Sequence, residues 1–173
     1  MGTRRRAREC ALMILCGVDL STQNADAALE RFWANFGTGQ PLDPPPRFVE
    51  EGDAADWFAV LPSDEIRAYT ERLVRGVSAE RDGIDELIQK TSHHWRMDRM
   101  ALVDRNLLRM SVFEIVYLAD DVPRNVVINE AVEIAKTFGS GESSAFVNGI
   151  LDRIGRTSQP EAPDRSAKEQ ADT

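Results

Sequence analysis

The sequence has few cysteines, few aromatic residues and no long hydrophobic run. Its 173 residues include two cysteines, Cys10 and Cys16, and only 7% are aromatic. Two cysteines on one apolar segment predict buried thiols in a reduced compartment rather than a disulfide or a metal site. No apolar stretch approaches the roughly 20 residues that span a bilayer. We therefore expect a soluble, cytoplasmic protein without a membrane segment.

Positive charge is also scarce. The sequence has 21 Lys and Arg and 29 Asp and Glu, which gives a net charge of −8. An acidic protein at first argues against a nucleic-acid partner. The charge is uneven, however: residues 1–23 carry a net +2, residues 24–65 a net −7 and residues 66–173 a net −3. The acid excess leaves a local basic patch at the start of the chain. The local field matters more than the total charge for docking a phosphate chain.

That basic patch consists of Arg4, Arg5, Arg6 and Arg8, which run directly into an apolar stripe at helical spacing. Cations in a first helical turn oppose the helix dipole and cost about 0.3–1 kcal/mol each. An external anion would compensate them, and a polyphosphate backbone is the leading candidate. The alternative is a solvated, tag-like end. Continuity with good helix formers argues against that alternative.

The rest of the chain has helical rather than strand periodicity and predicts an all-α protein. Seven helices are expected, at residues 3–18, 27–36, 63–77, 79–91, 98–118, 123–138 and 143–154. Ser63 and Asp98 are predicted N-caps, and Asp98 would begin the longest helix. Gly139 has the position of a usual C-terminal helix stop. Residues 37–62 predict a Pro-rich acidic surface loop, and residues 156–173 a disordered tail.

Three segments, taken in order, resemble the bacterial NusB transcription antitermination factor family. They are the Arg-rich start RRRARECA at residues 4–11, the segment VPRNVVINEAVEIAKTFG at residues 122–139, and FVNGILD at residues 146–152. The combination is highly specific, although each segment alone is weak. The resemblance is loose through residues 24–97.

The resemblance implies a NusB-like RNA-binding domain over residues 1–155, built as two packed helical bundles at about 1–78 and 79–155. It implies a heterodimer with NusE, which is also the ribosomal small-subunit protein S-ten. The pair would bind single-stranded boxA RNA of nascent ribosomal RNA leaders. It would thereby help an RNA polymerase elongation complex with other Nus factors to resist Rho-dependent termination, and assist ribosomal RNA maturation. Proteins of this kind occur as monomers or as homodimers that hide the basic face.

Site residues follow from the resemblance position by position. Arg5, Arg6 and Arg8 match arginines that contact RNA in the family. Phe146 matches an aromatic residue beside that surface, and Glu142 occupies an acidic position in the adjoining loop. Arginine suits phosphate because its guanidinium offers forked donors, and an aromatic ring can stack on an exposed base.

A second set of residues would face NusE. Asp104 falls where the family has an acidic partner-facing residue, and Leu20 lies on the same side of the first helix. Cys16 stands where the family often has an aromatic residue at this face. Ala145, beside the RNA-facing aromatic, stands where a basic residue is common.

The sequence contains no motif of an enzyme, and we expect no catalytic residue, no cofactor and no metal. It lacks a G-x-S-x-G elbow, a P-loop and a Gly-rich dinucleotide turn. His93 and His94 are adjacent, so their rings point apart on a helix, and no third ligand has suitable spacing. Two other functions remain open. One is a helical protein-binding adaptor; the other is the NusB-like module of ribosomal RNA cytosine methyltransferases, which requires a downstream cofactor domain.

Overall fold

The computed structural model describes residues 2–21, 23–36, 63–92 and 94–158, and it is all-α over these ranges. The predicted loop 37–62, His93 and residues 159–173 lie outside the described residues. The described part contains seven α-helices and one 3₁₀ turn, Met97–Arg99. The helices are α1 Thr3–Leu20, α2 Ala25–Phe36, α3 Asp64–Ala79, α4 Arg81–Thr91, α5 Leu102–Tyr117, α6 Arg124–Phe138 and α7 Ser143–Ser158.

Local capping explains the beginning of α3. The Ser63 hydroxyl accepts a hydrogen bond from the Ile66 N–H at 3.3 Å, as the sequence predicts. Asp64 and Glu65 occupy the first turn, where carboxylates complement the helix dipole. The N-cap of α6 is Pro123, whose fixed φ of −59° suits a helix entry. These two starts are encoded within a few residues of chain.

The predicted N-cap Asp98 is wrong. Asp98 lies in the 3₁₀ turn, and its carboxylate accepts hydrogen bonds from Arg96 at 2.7 and 3.0 Å. This side-chain pair, together with the Arg99 N–H bonded to the Arg96 carbonyl, stabilises the turn instead of a helix start. Helix α5 begins only at Leu102 and has 16 residues, so α1, with 18, is longer.

Two glycines near helix ends allow close packing of a neighbouring side chain, and Gly139 ends α6 where the sequence predicts. Gly155 lies inside α7, which continues to Ser158, beyond the predicted domain end at residue 155. A Cβ at Gly155 would lie 2.3 Å from Arg124 Cδ, so the glycine permits close approach of that side chain. Gly139 ends α6 with an extended φ of −93°, not in the left-handed conformation that a C-terminal glycine usually adopts. A Cβ there would lie 2.5 Å from the Ser143 hydroxyl oxygen.

The helices form two packed bundles that share α5. Helices α1, α2 and α3 pack against one another, and α4, α5, α6 and α7 form the second group. Helix α5 also contacts α1 and α3, and its residues from Asn106 to Ile115 are all buried. This agrees with the broad apolar surface of its sequence, which is typical of a central helix.

Candidate nucleic-acid interface

A surface groove lies where the first turns of α1 and α6 meet. Its lining includes Gly2, Arg4 and Arg5 from one helix start and Pro123 and Val126 from the other. Neither helix has an acidic residue in its first turn or a side-chain N-cap. The positive ends of the two helix dipoles therefore add to the guanidinium groups of the groove, whereas Asp121 and Glu130 in its lining contribute negative charge. We call it the Arg4 groove. Nothing local in the sequence shows that these two helix starts meet.

Arg4 is the most open of the four predicted arginines. Its side chain is exposed, and its guanidinium carbon lies 4.3 Å from the centre of the Tyr69 ring. The aromatic face attracts the cation without neutralising its charge. Arg4 can therefore offer several N–H donors to an anion in the groove.

Arg5 also borders the groove but is already paired. Its Nε and Nη2 donate hydrogen bonds of 2.8 and 2.7 Å to the two carboxylate oxygens of Glu130 on α6. The hydrogen bond from Arg5 lowers the pKa of Glu130 and raises the pKa of Arg5. The Arg5 side chain retains 34% exposure. Arg6 is less exposed, at 16%, and its Nη1 lies 3.9 Å from Glu9 Oε2.

Arg8 lies in the interior, whereas the predicted contact with RNA requires a surface position. Its side chain is 3% exposed, and its Nε and Nη2 donate to Glu114 of α5 at 2.9 and 2.8 Å. The Tyr69 hydroxyl donates to the same carboxylate. Burial opposes the charge on Arg8, but the bond to Glu114 outweighs it and the arginine pKa is raised. Burial and the negative charge of Glu114 raise the pKa of Tyr69 to about 12.

Phe146 and Glu142 lie apart from the Arg4 groove. Phe146 is half-buried on α7 and lines a second groove with Trp95, from the segment that follows α4. The two grooves share no lining residue. Glu142 is exposed in the turn before α7, where its carbonyl accepts the Phe146 N–H. The structure thus separates the three arginines that line the Arg4 groove from Phe146 in the second groove, and Arg6 and Glu142 line neither.

The three predicted partner-facing residues lie at the end of α1 and the start of α5. Leu20 is 75% exposed and offers its apolar side chain to a partner. Cys16 is half-buried with its Sγ 3.9 Å from the Leu102 carbonyl oxygen, and burial raises its pKa to about 11. Asp104 is 7% exposed, and its Oδ1 is buried without a hydrogen-bond partner among the described residues.

Asp19, which the sequence interpretation missed, holds this end of α1 in place. Its carboxylate accepts hydrogen bonds from Arg81 and Arg105 at 2.6 Å and from Arg109 at 3.1 Å. Burial opposes ionisation, but the Arg105 hydrogen bond and the Arg109 charge lower the pKa of Asp19 to about 2. The cluster joins α1 to α4 and α5. The exposed Leu20 next to it is therefore presented from a rigid base.

Two negative findings apply to the part of the chain that the structure describes. None of its helices combines the length and the apolar character needed to cross a membrane. No group of three or more His, Cys, Asp or Glu side chains in it could hold a metal ion.

The fold and the groove define a two-bundle helical protein with an arginine-lined groove at two helix starts. A model described as NusB family matches residues 5–156. The transcription antitermination protein NusB of Myxococcus xanthus (strain DK1622) is 44% identical over 154 residues, covering 89% of this chain and 95% of that protein. NusB of Anaeromyxobacter dehalogenans (strain 2CP-1) is 44% identical over 151 residues, covering 87% and 89%. The chain belongs to the NusB family.

Solved structures agree with this membership. The structure of T. maritima NusB matches with a TM-score of 0.68 and 28% identity, covering 91% of this chain and 93% of that one. A chain from a crystal structure of antitermination factors NusB and NusE in complex with dsRNA matches with a TM-score of 0.66 and 24% identity, covering 91% and 98%. The second match shows the fold alone. These findings confirm the predicted family and fold, and identify a transcription antitermination factor rather than an enzyme.

Proposed function

We propose that this protein, together with NusE, binds boxA of nascent ribosomal RNA and supports processive transcription by an RNA polymerase elongation complex with other Nus factors. Assistance to ribosomal RNA maturation belongs to the same proposal. Family membership supports it, because the relatives are transcription antitermination proteins. A chain with the same fold was crystallised with NusE and dsRNA.

The Arg4 groove is the observation that carries the RNA part of the proposal. Two helix N-termini and the exposed guanidinium of Arg4 meet there. Phosphate groups fit such a place because arginine forks donate to their oxygens and the N-terminal ends of helix dipoles favour negative charge. The cations at the start of α1, which oppose the helix dipole, would gain their compensating anion from the RNA backbone.

The arginines would have different roles. Arg4 would contact phosphate directly, and Arg5 would do so by exchanging Glu130 for a phosphate oxygen. Arg6 would add a contact at the edge of the groove. Arg8 would act through the fold, because its bond to Glu114 holds the first turn of α1 against α5. Phe146 and Glu142 would belong to a separate part of the RNA footprint.

The NusE part of the proposal rests on the face formed by Leu20, Cys16 and Asp104. Leu20 would supply an apolar contact at this face, from a helix end that the Asp19 cluster holds in place. Asp104 Oδ1 has no hydrogen-bond partner among the described residues. A hydrogen-bond donor of NusE would bind close to this carboxylate. The thiol of Cys16 would supply apolar contact at this face.

A competition experiment tests the proposal. A labelled boxA RNA is bound to the protein with and without NusE, and unlabelled boxA or scrambled RNA is added as competitor. We expect boxA to compete better than scrambled RNA and NusE to strengthen binding. The variant Arg4→Glu should weaken RNA binding at least tenfold with an unchanged melting temperature. Arg67→Glu is the matched control, because Arg67 is an exposed arginine on α3 outside the groove.

Equal competition by both RNAs in every condition would contradict the proposal and favour the protein-binding adaptor. The same binding curves test whether the protein is a monomer or a homodimer. If a second copy covers the arginines, RNA affinity falls as the protein concentration rises, and the apparent mass doubles over the same range.

A further inference from the structure

Glu130 of α6 binds an arginine of the Arg4 groove in the way that a phosphate group would. Its two carboxylate oxygens accept hydrogen bonds from Arg5 Nε and Nη2 at 2.8 and 2.7 Å. A phosphate group offers two oxygens to a guanidinium in the same forked geometry. The Glu130 side chain is 20% exposed and lies in the lining of the groove. It therefore occupies the donors that an entering phosphate would need.

Other contacts place α1 in the fold, so the Arg5–Glu130 pair is not needed for that purpose. Helix α1 packs on α2, α3 and α5. One turn beyond Arg5, Arg8 is bound to Glu114 in the interior. Arg5 and Glu130, in contrast, retain 34% and 20% exposure, and an ion pair that water reaches adds little to stability. The Arg5–Glu130 pair can therefore open without loss of the fold.

A second arginine lies within reach of the Glu130 carboxylate. Arg8 Nη1 is 3.8 Å from Glu130 Oε2, which is longer than a hydrogen bond. A movement of about 1 Å would shorten this contact to the length of an ordinary hydrogen bond. A Glu130 side chain that releases Arg5 would thus stay beside a positive charge. This second partner lowers the electrostatic cost of opening the Arg5–Glu130 pair.

The other acidic residue in the lining of the Arg4 groove, Asp121, is paired outside it. Asp121 Oδ2 lies 2.6 Å from Arg72 Nη1, and Arg72 is not part of the lining. Arg4 has no carboxylate partner among the described residues and contacts the Tyr69 ring instead. Within the part of the chain that the structure describes, Glu130 is therefore the acidic group that neutralises a solvent-facing guanidinium of this groove.

We propose that Glu130 is an internal competitor for RNA phosphate. In the free protein it holds Arg5, and on RNA binding it turns towards Arg8 and leaves Arg5 to a phosphate oxygen. This inference rests on the proposed RNA-binding function and names the residue that limits its strength. Phosphate contacts carry no information on base sequence, so the competitor lowers the affinity for every RNA by the same factor. Glu130 thus sets the overall affinity and leaves the preference for boxA unchanged.

The test compares Glu130→Gln and Glu130→Asp with wild type in titrations of labelled boxA and scrambled RNA. Glutamine keeps the shape and removes the charge, whereas aspartate keeps the charge on a side chain that is one methylene shorter. We expect Glu130→Gln to bind both RNAs about 3- to 10-fold more tightly, and Glu130→Asp to change affinity in the same direction. Between about 50 and 200 mM salt, the slope of log affinity against log salt should steepen by about 0.7 for Glu130→Gln, the value for one more phosphate contact.

Glu133→Gln is the matched control, because Glu133 lies on the same helix, carries the same charge and pairs with Lys136 outside the groove. It should change RNA affinity by less than about twofold. A double-mutant cycle with Arg5→Gln separates the Arg5 contact from the general loss of negative charge. In the Arg5→Gln background, Glu130→Gln should have no greater effect than Glu133→Gln.

Thermal unfolding checks the fold of each variant. A Glu130→Gln affinity no tighter than that of Glu133→Gln would overturn the competitor. Weaker binding would overturn it too, because Glu130 would then hold Arg5 in position for RNA. If Glu130→Gln is unstable, Glu130→Asp with and without Arg5→Gln decides by the same criteria. Arg4→Glu tests the proposed function separately: loss of binding there without a gain in Glu130→Gln contradicts the competitor alone, and no loss there contradicts the proposed function.

Discussion

Arg8 and Glu114 form a buried, two-pronged ion pair that joins the first helix to the central helix across 106 positions of sequence. Neither side chain is more than 3% exposed. Two charges without solvent are stable only with full hydrogen bonding, and the Tyr69 hydroxyl provides a further donor to Glu114. The arginine-rich start thus contains one residue that holds the fold and others that face the surface.

Replacing Arg8 should therefore damage stability before it damages RNA binding. Arg8→Met leaves Glu114 buried without its main partner, which costs about 3–5 kcal/mol. For a chain of this size we expect the melting temperature to fall by about 10 °C. Circular dichroism during heating measures it. Arg4→Met is the control and should change the melting temperature by less than 2 °C or so.

The double variant Arg8→Met/Glu114→Leu removes both charges and should recover much of the lost stability. A melting temperature for Arg8→Met equal to that of wild type, with RNA binding abolished, would show that Arg8 acts as a direct contact.

Asp19 should make the protein sensitive to acid. Its pKa is lowered from 3.8 to about 2, so its ionised form favours the folded state. By linkage, the carboxylate contributes about 2 kcal/mol above pH 4, and this contribution is lost as the pH falls from about 4 to 2. Urea unfolding of wild type and Asp19→Asn should differ most at pH 7 and converge near pH 2.

Asp26→Asn is the control for this experiment, because the Asp26–Arg75 pair is exposed and contributes little. A constant difference between Asp19→Asn and wild type at all pH values would mean that the ionised carboxylate is not the stabilising form.

Two helical glycines should respond in opposite ways to alanine. A Cβ at Gly76 would lie 2.0 Å from the Phe113 ring, so Gly76→Ala should lower the free energy of unfolding by about 1–3 kcal/mol. Gly83 has no atom within 4 Å of such a Cβ, and Gly83→Ala should raise it by up to about 1 kcal/mol. Urea denaturation measures both. A gain in stability at Gly76 would show that Phe113 can move aside at no cost.

Leu20 should contribute to NusE binding and not to folding. Because its side chain is 75% exposed, Leu20→Asp should leave the melting temperature unchanged. We expect it to weaken NusE binding about 5- to 30-fold, or about 1–2 kcal/mol, with no effect on RNA bound by this protein alone. Isothermal titration with NusE measures it. Val116→Asp, at another exposed apolar residue, should match wild type; equal losses in both variants would argue against a specific face.

The helices themselves followed from the sequence, because their periodicity and end signals are local. Ser63 accepts the predicted capping bond, and the broad apolar surface of the fifth helix does mark the centre of the protein. The predicted helix ends were wrong where a side chain has another hydrogen-bond partner or where the tertiary structure sets the end of the helix. Arg96 binds the carboxylate of Asp98, which removes the predicted cap. The last helix continues to Ser158, past the predicted end at residue 154.

The sequence by itself determined the all-α class, the family and the unusual collection of arginines at the first helix. Only the tertiary structure decided which of those arginines stay open. The order of charges along a chain does not predict which carboxylate will form an ion pair with each guanidinium. Glu130 and Glu114, both more than 100 residues away, neutralise Arg5 and Arg8 and leave Arg4 at the surface. Their pairing depends on helix packing, which the local sequence does not encode.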